Sequence, residues 1–332
     1  MKHSILDLCL ILAVTLICSF SFSNAAEHDE LKPIQLVFTG DIMLDELPGE
    51  DIKLGLDPFR QFSSIFADAD FAIGNLECVV ATVGEKVKKP FNFRADPHVL
   101  KVLKQHFDAV SLANNHTGDF GHAAFLEQLD LLKKAEIPYF GGGRDVVEAR
   151  SPYVFVRNGI RIALLGYNDF KPRSFEAGPK WPGVAWSVDE QVVADIKAAR
   201  TIHHADLVIP FMHWGWEEEG ANERQMKLAR LMIDNGADVV VGGHPHVTQG
   251  AEYYKGKLIV YSLGNFVFNG FNTPETNTGW VLRLTLDKRG LQKWDTIVAH
   301  LDARGSPVIA RDVESPCGNA SAEKILMRKF EP

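Results

Sequence analysis

The sequence predicts an α/β domain built on a mixed sheet, and three observations support this fold class. Apolar, β-branched runs alternate with segments of helical spacing through the first two-thirds of the chain, and strands dominate afterwards. Hydrophobic residues make up 46% and charged residues 23% of the 332 residues, as in an ordinary globular protein. No internal repeat and no linker rich in Pro, Gly or Ser divides the chain. We therefore expect one main domain over residues 34–300.

The elements follow from local patterns. Apolar spacing predicts helices at 125–135, 188–199 and 223–235, the last one closed by Gly236. Asn158-Gly159 predicts a hairpin turn. The sequence loses periodicity after Asp312, so we expect a loosely ordered tail over residues 312–332. Strands are predicted at residues 34–39, 68–73, 108–112, 153–156, 160–165, 206–212, 239–241, 258–262, 280–286 and 291–300.

The N-terminus is typical of an exported protein. Lys2 precedes an apolar run over residues 8–22, and Ser23-Asn24-Ala25 offers small residues for cleavage after Ala25. We expect residues 1–25 to be a signal peptide, with an uncleaved anchor as the alternative, because the run is short for a membrane-spanning helix. A net charge of −8 argues against a nucleic-acid partner.

Two cysteines, Cys78 and Cys317, remain in the expected mature chain. They lie far apart in sequence, and whether they pair is left open. We read no disulfide framework in them. Cys78 beside Glu77 is a conceivable metal ligand, but a small buried residue is the better expectation.

Several predicted strands end in polar residues that can bind metal ions. Ligands bind beyond the carboxyl ends of strands in open α/β sheets, so these side chains are expected at one edge. Mixed carboxylate, amide and imidazole groups suit Mn, Fe or Zn. Their number predicts two divalent ions about 3.5–4 Å apart. The candidates are Asp41, Glu77, Asn115, His116, His213, His244 and His246.

The run His244-Pro245-His246 follows the strand 239–241 and two glycines. Alternate residues of an extended segment point to opposite sides, so the chain must bend here if both imidazoles are to face one place. The two glycines would permit that turn, and Pro245 would bias His244 toward an extended conformation. An isolated pair of this kind is more often two surface histidines; the other strand ends favour a metal site.

The motifs together resemble a known family. The sequence is similar to the CapA, or poly-γ-glutamate capsule-synthesis, family of the calcineurin-like metallophosphatase superfamily. This resemblance implies a four-layer α/β/β/α sandwich. It rests on Gly40-Asp41-Ile42-Met43-Leu44, Gly74-Asn75-Leu76-Glu77, Asn114-Asn115-His116, His213-Trp214-Gly215, Gly243-His244-Pro245-His246 and Ser262-Leu263-Gly264-Asn265-Phe266.

The resemblance implies a role for each candidate. It makes Asp41 and His246 first-metal ligands and Glu77 the bridging carboxylate. It makes His116 the histidine that protonates a leaving group. Asn115, His213 and His244 resemble the second-metal ligands.

The first motif departs from the superfamily pattern. Met43 stands where the superfamily usually has histidine, and Glu77 replaces an aspartate. The first site is then weaker, is completed by Glu217, Asn75 or Gln249, or is absent, leaving a single metal. The same three residues and Asn265 are also candidates for substrate contact, although Asn265 could instead only shape the turn after its strand.

The expected function is that of an exported metal-dependent hydrolase or transferase. A metal-activated water would attack and His116 would act as general acid. The resemblance implies either a phosphoester or a γ-glutamyl amide as the bond cleaved, and poly-γ-glutamate or another anionic envelope polymer as partner. The alternative is a non-catalytic, polymer-binding member of a membrane-bound synthesis or export complex.

A cluster of basic residues and a set of tryptophans each allow two interpretations. The basic residues near Lys89 could attract such a polymer, although a solvated loop is the more ordinary interpretation. The tryptophans could line a substrate groove or belong to the core. These residues are Lys86, Lys88, Lys89 and Arg94, and Trp181, Trp186, Trp214 and Trp216.

Overall fold

Two β-sheets face each other at the centre of the fold. The computed structural model describes residues 32–319 and 324–330, so the predicted signal segment 1–25 lies outside the described residues. Among those described residues the larger sheet has ten strands and the smaller sheet has six, and two two-stranded pairs complete the described strands.

The strands have the following bounds. In the first half of the chain they are β1 Ile34–Ile42, β2 Phe71–Leu76, β3 Val79–Val80, β4 Arg94–Ala95, β5 Ala109–Ser111, β6 Tyr139–Phe140, β7 Gly142–Gly143, β8 Tyr153–Arg157, β9 Ile160–Asn168 and β10 Gly183–Val184. In the second half they are β11 Leu207–His213, β12 Val239–Gly243, β13 Thr248–Tyr254, β14 Lys257–Leu263, β15 Asn265–Val267, β16 Thr278–Asp287, β17 Gly290–Leu301, β18 Pro307–Ile309, β19 Glu314–Asn319 and β20 Leu326–Lys329.

The order of the strands in the larger sheet is β20-β19-β17-β16-β1-β2-β5-β6, with β15 beside β1 and β18 beside β17. The order in the smaller sheet is β13-β14-β12-β11-β9-β8. The two-stranded pairs are β3 with β4 and β7 with β10.

The α-helices are α1 Glu46–Lys53, α2 Ser63–Ala67, α3 Val99–His106, α4 Gly121–Lys134, α5 Val146–Arg150, α6 Asp189–Thr201 and α7 Glu223–Asp234. Short 3-10 helices lie at Arg60–Phe62 and Arg173–Phe175. The three predicted helices are present with ends shifted by a few residues. Gly236, with φ of +114°, supplies the predicted left-handed stop after α7. None of the helices in the described residues is long and apolar enough to cross a membrane.

Three buried clusters divide the fold into four layers. Leu36 and Phe38 point toward the smaller sheet and form the core between the sheets, whereas Val37 between them points to the outer face of the larger sheet. That outer face packs on α1 to α4. The outer face of the smaller sheet packs on α5, α6 and α7. The expected α/β/β/α sandwich is therefore confirmed.

The strand directions place the predicted ligands together. In the larger sheet β1, β2 and β5 are parallel neighbours, and in the smaller sheet β9, β11, β12 and β14 are parallel neighbours. Parallel strands bring their carboxyl ends to one edge of each sheet. Ligands that follow β1, β2, β5, β11 and β12 are thus drawn from both sheets.

The C-terminal segment differs from the expected loose tail. Strand β19 pairs antiparallel with β17 at Lys293 to Asp295, and β20 pairs with β19. The local sequence has no clear period because these strands form against distant partners. The side chain of Cys317 in β19 is buried, and both Cys78 and Cys317 are free thiols.

Candidate metal centre

Asp41 lies near the end of β1 and is fully buried. Its Oδ1 accepts a hydrogen bond from Asn75 Nδ2 at 2.8 Å, and its Oδ2 accepts one from the His244 backbone N–H at 3.1 Å. Burial raises the pKa of Asp41, an effect that nearby His246 opposes. The preceding residue must be Gly40, because a Cβ there would lie 1.8 Å from the Gly264 carbonyl oxygen.

Glu77 follows β2 and is also fully buried. Neither of its side-chain oxygens has a hydrogen-bond partner. Its Oε1 lies 3.4 Å from His213 Nε2 and 3.9 Å from His246 Nε2. Burial and the Asp41 carboxylate raise the pKa of Glu77 well above its usual range. Buried carboxylates are normally paired or bound to a cation, so these two unpartnered oxygens are suited to bind a cation.

His213 is the last residue of β11. Its Nδ1 lies 3.1 Å from Asn75 Nδ2, and its Nε2 lies 2.7 Å from Asn115 Oδ1. Burial lowers the pKa of His213 well below its usual value, and the neighbouring His244 lowers it further. The imidazole is therefore neutral at pH 7, which is the form that binds metals.

His244 is the least satisfied imidazole of the site. Both of its ring nitrogens are buried without a hydrogen-bond partner. The ring of Phe170 covers it at a centroid distance of 3.8 Å. Burial lowers the pKa of His244 well below its usual value, so this ring is also neutral, as a metal ligand requires.

The expected bend in the His-Pro-His segment is present, but its mechanism differs from the prediction. The histidines themselves adopt positive φ values, +96° at His244 and +57° at His246, in place of an extended His244. The ring centroids come within 5.8 Å of each other. Gly242 and Gly243 are required for space instead: a Cβ at Gly243 would lie 2.8 Å from Asp41 Oδ1.

Asn265 holds His246 in place. Its Oδ1 lies 2.9 Å from His246 Nδ1, and its Nδ2 donates to the Thr276 carbonyl at 2.8 Å. Because an amide oxygen only accepts hydrogen bonds, Nδ1 carries the proton and Nε2 is left unprotonated, as a metal ligand requires. The residue predicted to contact substrate thus orients a candidate metal ligand.

The ligand atoms form overlapping clusters. Within the described residues, three sets each bring their candidate ligand atoms within 4.8 Å of one another. Two of them share Glu77, as a bridging carboxylate requires. The unpartnered oxygens of Glu77 and nitrogens of His244 are the groups that bound cations would satisfy, so the residues fit metal ions. The sets are Asp41, Glu77 and His246; Glu77, His213 and His244; and Glu217, His244 and His246.

His116 lies beside this centre in a network of charges. Its Nδ1 is 2.7 Å from Asp119 Oδ2, and Asp119 is fully buried and paired with Lys89. Lys89 Nζ also donates to the Asn115 carbonyl at 2.8 Å. Burial lowers the pKa of His116, Asp119 opposes that shift, and Lys89 adds to it. Lys89 therefore belongs to the site, whereas Lys86 and Lys88 are exposed as a solvated loop predicts.

The candidates for an additional ligand fall into different places. Glu217 is exposed but reaches the third ligand set. Asn75 bonds to both Asp41 and His213 and so braces two ligands. Gln249 is engaged elsewhere: Gln225 donates to its Oε1, and its Nε2 donates to the Glu219 carbonyl, both at 2.8 Å.

Met43 belongs to the core of the larger sheet and its helices. It is fully buried, and its sulfur accepts the Asp45 backbone N–H at 3.2 Å. Its side chain occupies apolar space where the superfamily pattern has a ligand. Cys78 is likewise buried, and burial raises the pKa of its thiol, which keeps it protonated.

Of the four tryptophans, Trp214 belongs to the core, as one of the two expectations had it, and the others are more exposed. Trp214 is fully buried, and its Nε1 donates to the Tyr261 carbonyl at 2.8 Å. Trp216 is 49% exposed and lies edge-on to Phe170, the residue that covers His244. Trp181 is 50% exposed, and Trp186 lies under the Arg173 guanidinium at 5.5 Å.

Sequence reasoning missed three members of the site. Asp119 comes three residues after His116, and the spacing from that histidine is the signal that could have identified it. Asn114 donates to Asn75 Oδ1 at 3.0 Å and accepts the His116 backbone N–H at 3.1 Å. Phe170 follows β9, the parallel strand whose end carries no predicted ligand.

A four-layer sandwich with buried carboxylate and imidazole groups converging from both sheets defines a fold of the metallophosphatase type. Its fold is similar to a solved structure described as a novel phosphatase from Mycoplasma pneumoniae, with a TM-score of 0.52, 14% identity, and coverage of 81% of this chain and 94% of that one. At that identity the likeness shows the fold alone.

Sequence comparison identifies the family. Residues 35–270 match the family described as "Bacterial capsule synthesis protein PGA_cap". The chain is 32% identical to the "PGA biosynthesis protein CapA" of Bacillus subtilis, over 84% of this chain and 76% of that protein. It is also 32% identical to the "Capsule biosynthesis protein CapA" of Bacillus anthracis, over 73% of this chain and 62% of that protein. The chain belongs to this capsule-synthesis family.

Proposed function

We propose that the protein is an exported, metal-dependent hydrolase or transferase that acts on an anionic envelope polymer such as poly-γ-glutamate. One observation carries the catalytic part: two ligand sets share the buried, unpartnered Glu77. The names of the Bacillus relatives support the polymer. The signal-like residues 1–25 support export.

The residues that would hold the ions are those of the two sets that share Glu77. Asp41, Glu77 and His246 would form the first site. Glu77, His213 and His244, with the amide oxygen of Asn115, would form the second. Bound divalent ions would supply positive charge that polarises the scissile group and lowers the pKa of an attacking water.

His116 would donate a proton to the leaving group. Its Nδ1 is held by Asp119, so Nε2 is the atom free to carry and release that proton. The network around His116 fixes the orientation of the ring, because Asp119 also accepts the Phe93 backbone N–H at 2.8 Å. The bond cleaved is a phosphoester or a γ-glutamyl amide.

A non-catalytic polymer-binding partner in a synthesis or export complex is the second candidate. This candidate is supported by Met43, which stands where the superfamily usually has a first-site ligand and whose side chain packs in the core. A protein with a weakened first site could hold one ion, or none, and use the same edge of the sheets to hold a polymer.

The deciding experiment is elemental analysis of mature protein purified without chelator, beside a variant with His244→Ala and His246→Ala. About two ions per chain, lost in the variant, is the expected result. One ion per chain would place the loss at the first site. No ion after reconstitution with Mn, Fe or Zn would overturn the hydrolase and leave the polymer-binding partner.

Turnover then separates the two bonds. Phosphoesters and γ-linked glutamate oligomers are assayed side by side with the ion that the protein retains. N-terminal sequencing of the mature chain tests export, and cleavage after Ala25 is expected.

A further inference from the structure

Two cavities are lined by candidate site residues or by their neighbours in the chain, and the two differ in charge. A cavity of about 350 Å³ is lined by Lys89, Asn115, Asp119 and Phe175, among other residues; we name it the Lys89 cavity. A cavity of about 550 Å³ is lined by Gln249 and by three glutamates, Glu218, Glu219 and Glu275; we name it the acidic cavity. Both volumes are in the range of small-ligand sites.

The Lys89 cavity is lined by two residues that contact the proposed catalytic site. Asn115, which lines it, contacts His213 Nε2 through its side chain. Asp119, which also lines it, holds His116. A leaving group protonated by His116 would therefore depart next to this cavity.

The surroundings of the Lys89 cavity favour anions. Lys86 and Lys88 flank Val87, and Lys171 precedes Pro172; Val87 and Pro172 both line the cavity. All three lysines are exposed, and Lys171 Nζ lies 5.9 Å from the centroid of the Trp216 ring. Helix α4, of 14 residues, begins at the cavity with Gly121 and has no acidic side chain in its first turn, which adds a weak positive field.

The acidic cavity has the opposite character. Its lining includes three exposed glutamates and no lysine or arginine. The ionised carboxylates repel a polymer that carries a carboxylate on every residue. A polyanion that approaches the metal centre is therefore attracted on the side of the Lys89 cavity and repelled on the side of the acidic cavity.

Resting on the proposed function, we propose that the leaving-group side of the polycarboxylate substrate binds in the Lys89 cavity and that the acidic cavity excludes it. The polymer would then lie in a single orientation across the ligand cluster. Lys89 itself is a positioning residue, since its charge is paired with Asp119. The exposed lysines on the flanking loops provide the attraction for the substrate.

The test measures binding of a fluorescein-labelled, γ-linked glutamate oligomer by anisotropy at low salt. Ser174 is exposed and lines the Lys89 cavity, so Ser174→Trp fills the cavity without touching the core. A double variant, Lys88→Glu with Lys171→Glu, reverses the flanking charge. The matched controls at the acidic cavity are Gly250→Trp, where a Cβ meets no atom within 4 Å, and Glu275→Lys.

Ser174→Trp and the double reversal are each expected to weaken binding by roughly tenfold, and the reversal effect should shrink as salt rises. Gly250→Trp should leave affinity within about twofold, and Glu275→Lys should leave it unchanged or strengthen it. Circular dichroism and metal content equal to those of the wild type show that each variant is folded.

Loss of binding in the acidic-cavity variants, or equal binding in all variants, would overturn the proposal. So would a wild-type protein that binds no oligomer. The outcome is independent of the hydrolase proposal: a protein without metal that still needs the Lys89 cavity for the oligomer would sink the hydrolase and sustain this subsite.

Discussion

At the scale of a single residue, burial of Glu77 lowers the stability of the metal-free protein and places a carboxylate where it could bind cations. Its two oxygens are buried without hydrogen bonds beside the Asp41 carboxylate. Such a group destabilises the metal-free fold once it is ionised. The unpartnered carboxylate makes no hydrogen bond that would stabilise the metal-free protein, as expected of a residue whose role is to bridge two ions.

Replacing Glu77 by Gln should stabilise the metal-free protein by about 1–2 kcal/mol at neutral pH. An unfolded glutamate titrates near 4.3. Since burial raises the folded pKa above that value, the contribution of Glu77 is fully present below the unfolded pKa and is lost as pH rises through the folded pKa. The variant's advantage should therefore grow above about pH 4 and vanish below it.

Denaturant unfolding in the presence of chelator, at several pH values, measures this gain. Elemental analysis should show metal lost in the same variant. Glu218→Gln, at an exposed glutamate, is the control and should change neither quantity. A destabilised Glu77→Gln protein that keeps its metal would contradict the bridging role.

His116 should respond in opposite directions to its two charged neighbours. Asp119 raises the pKa of His116 and Lys89 lowers it. A general acid loses activity as pH rises through its pKa, so Asp119→Asn should move the high-pH limb to lower pH. Lys89→Met should move it to higher pH.

The profile of kcat against pH measures these limbs with the ion held constant. His116→Ala should lower kcat by roughly 10²–10⁴-fold and remove the limb. Shifts of the same sign in both neighbour variants, or full turnover by His116→Ala, would remove His116 from the role of acid.

Because of where Met43 lies, we expect that a histidine at this position, as in the superfamily pattern, will not act as a metal ligand. Its side chain lies in the core, so Met43→His buries an imidazole among apolar side chains. We expect a loss of about 2–4 kcal/mol without any gain in metal content. Met43→Leu, a swap of similar volume, should cost less than about 1.5 kcal/mol. A stable Met43→His protein with more bound metal would show that the residue after β1 can turn toward the site.

At the scale of elements, the sequence predicted best where a pattern is local. The strands that end at or next to Asp41, His213 and His244 are apolar runs followed by polar residues, and their parallel arrangement follows from the intervening helices. The bend at His246 was predictable from the need to join two imidazoles. Its positive φ angles were not, because they arise from contacts with Asp41 and Asn265 across the sheets.

Elements stabilised by distant partners escaped prediction. Helices α1 and α2 are short, and the core beneath them comes from Phe266 and other residues about 200 positions away. Strands β19 and β20 form only because β17 offers an unpaired edge. In both cases the determinant lies outside the window that local periodicity samples.

Removing the chain from residue 311 onward should destabilise the larger sheet. The truncation exposes the β17 edge near Trp294 and removes the Arg328 guanidinium that lies 3.0 Å from the Asp295 carboxylate. We expect a lower melting temperature and salt-insensitive aggregation on heating, with metal content unchanged. Differential scanning calorimetry and light scattering measure both. A truncated protein with the wild-type melting temperature would show that this segment does not stabilise the fold.

At the scale of the whole molecule, the resemblance correctly implied the four layers. Composition and alternation alone indicated a mixed α/β sheet and did not divide it into two facing sheets. That division depends on which face each strand buries, and Leu36 and Val37 differ in partner while being equally apolar.

The origin of the ligands in both sheets also bears on how long the folded protein lasts. Asp41 and Glu77 come from one sheet, and His213 and His244 come from the other. An ion held by them would join two halves of the sandwich that the chain itself links only through long connections. The halves could not separate before the ion is released. Chelator should therefore shorten the lifetime of the native state, measured as the rate of unfolding, and protection from hydrogen exchange should fall together in β1 and β12.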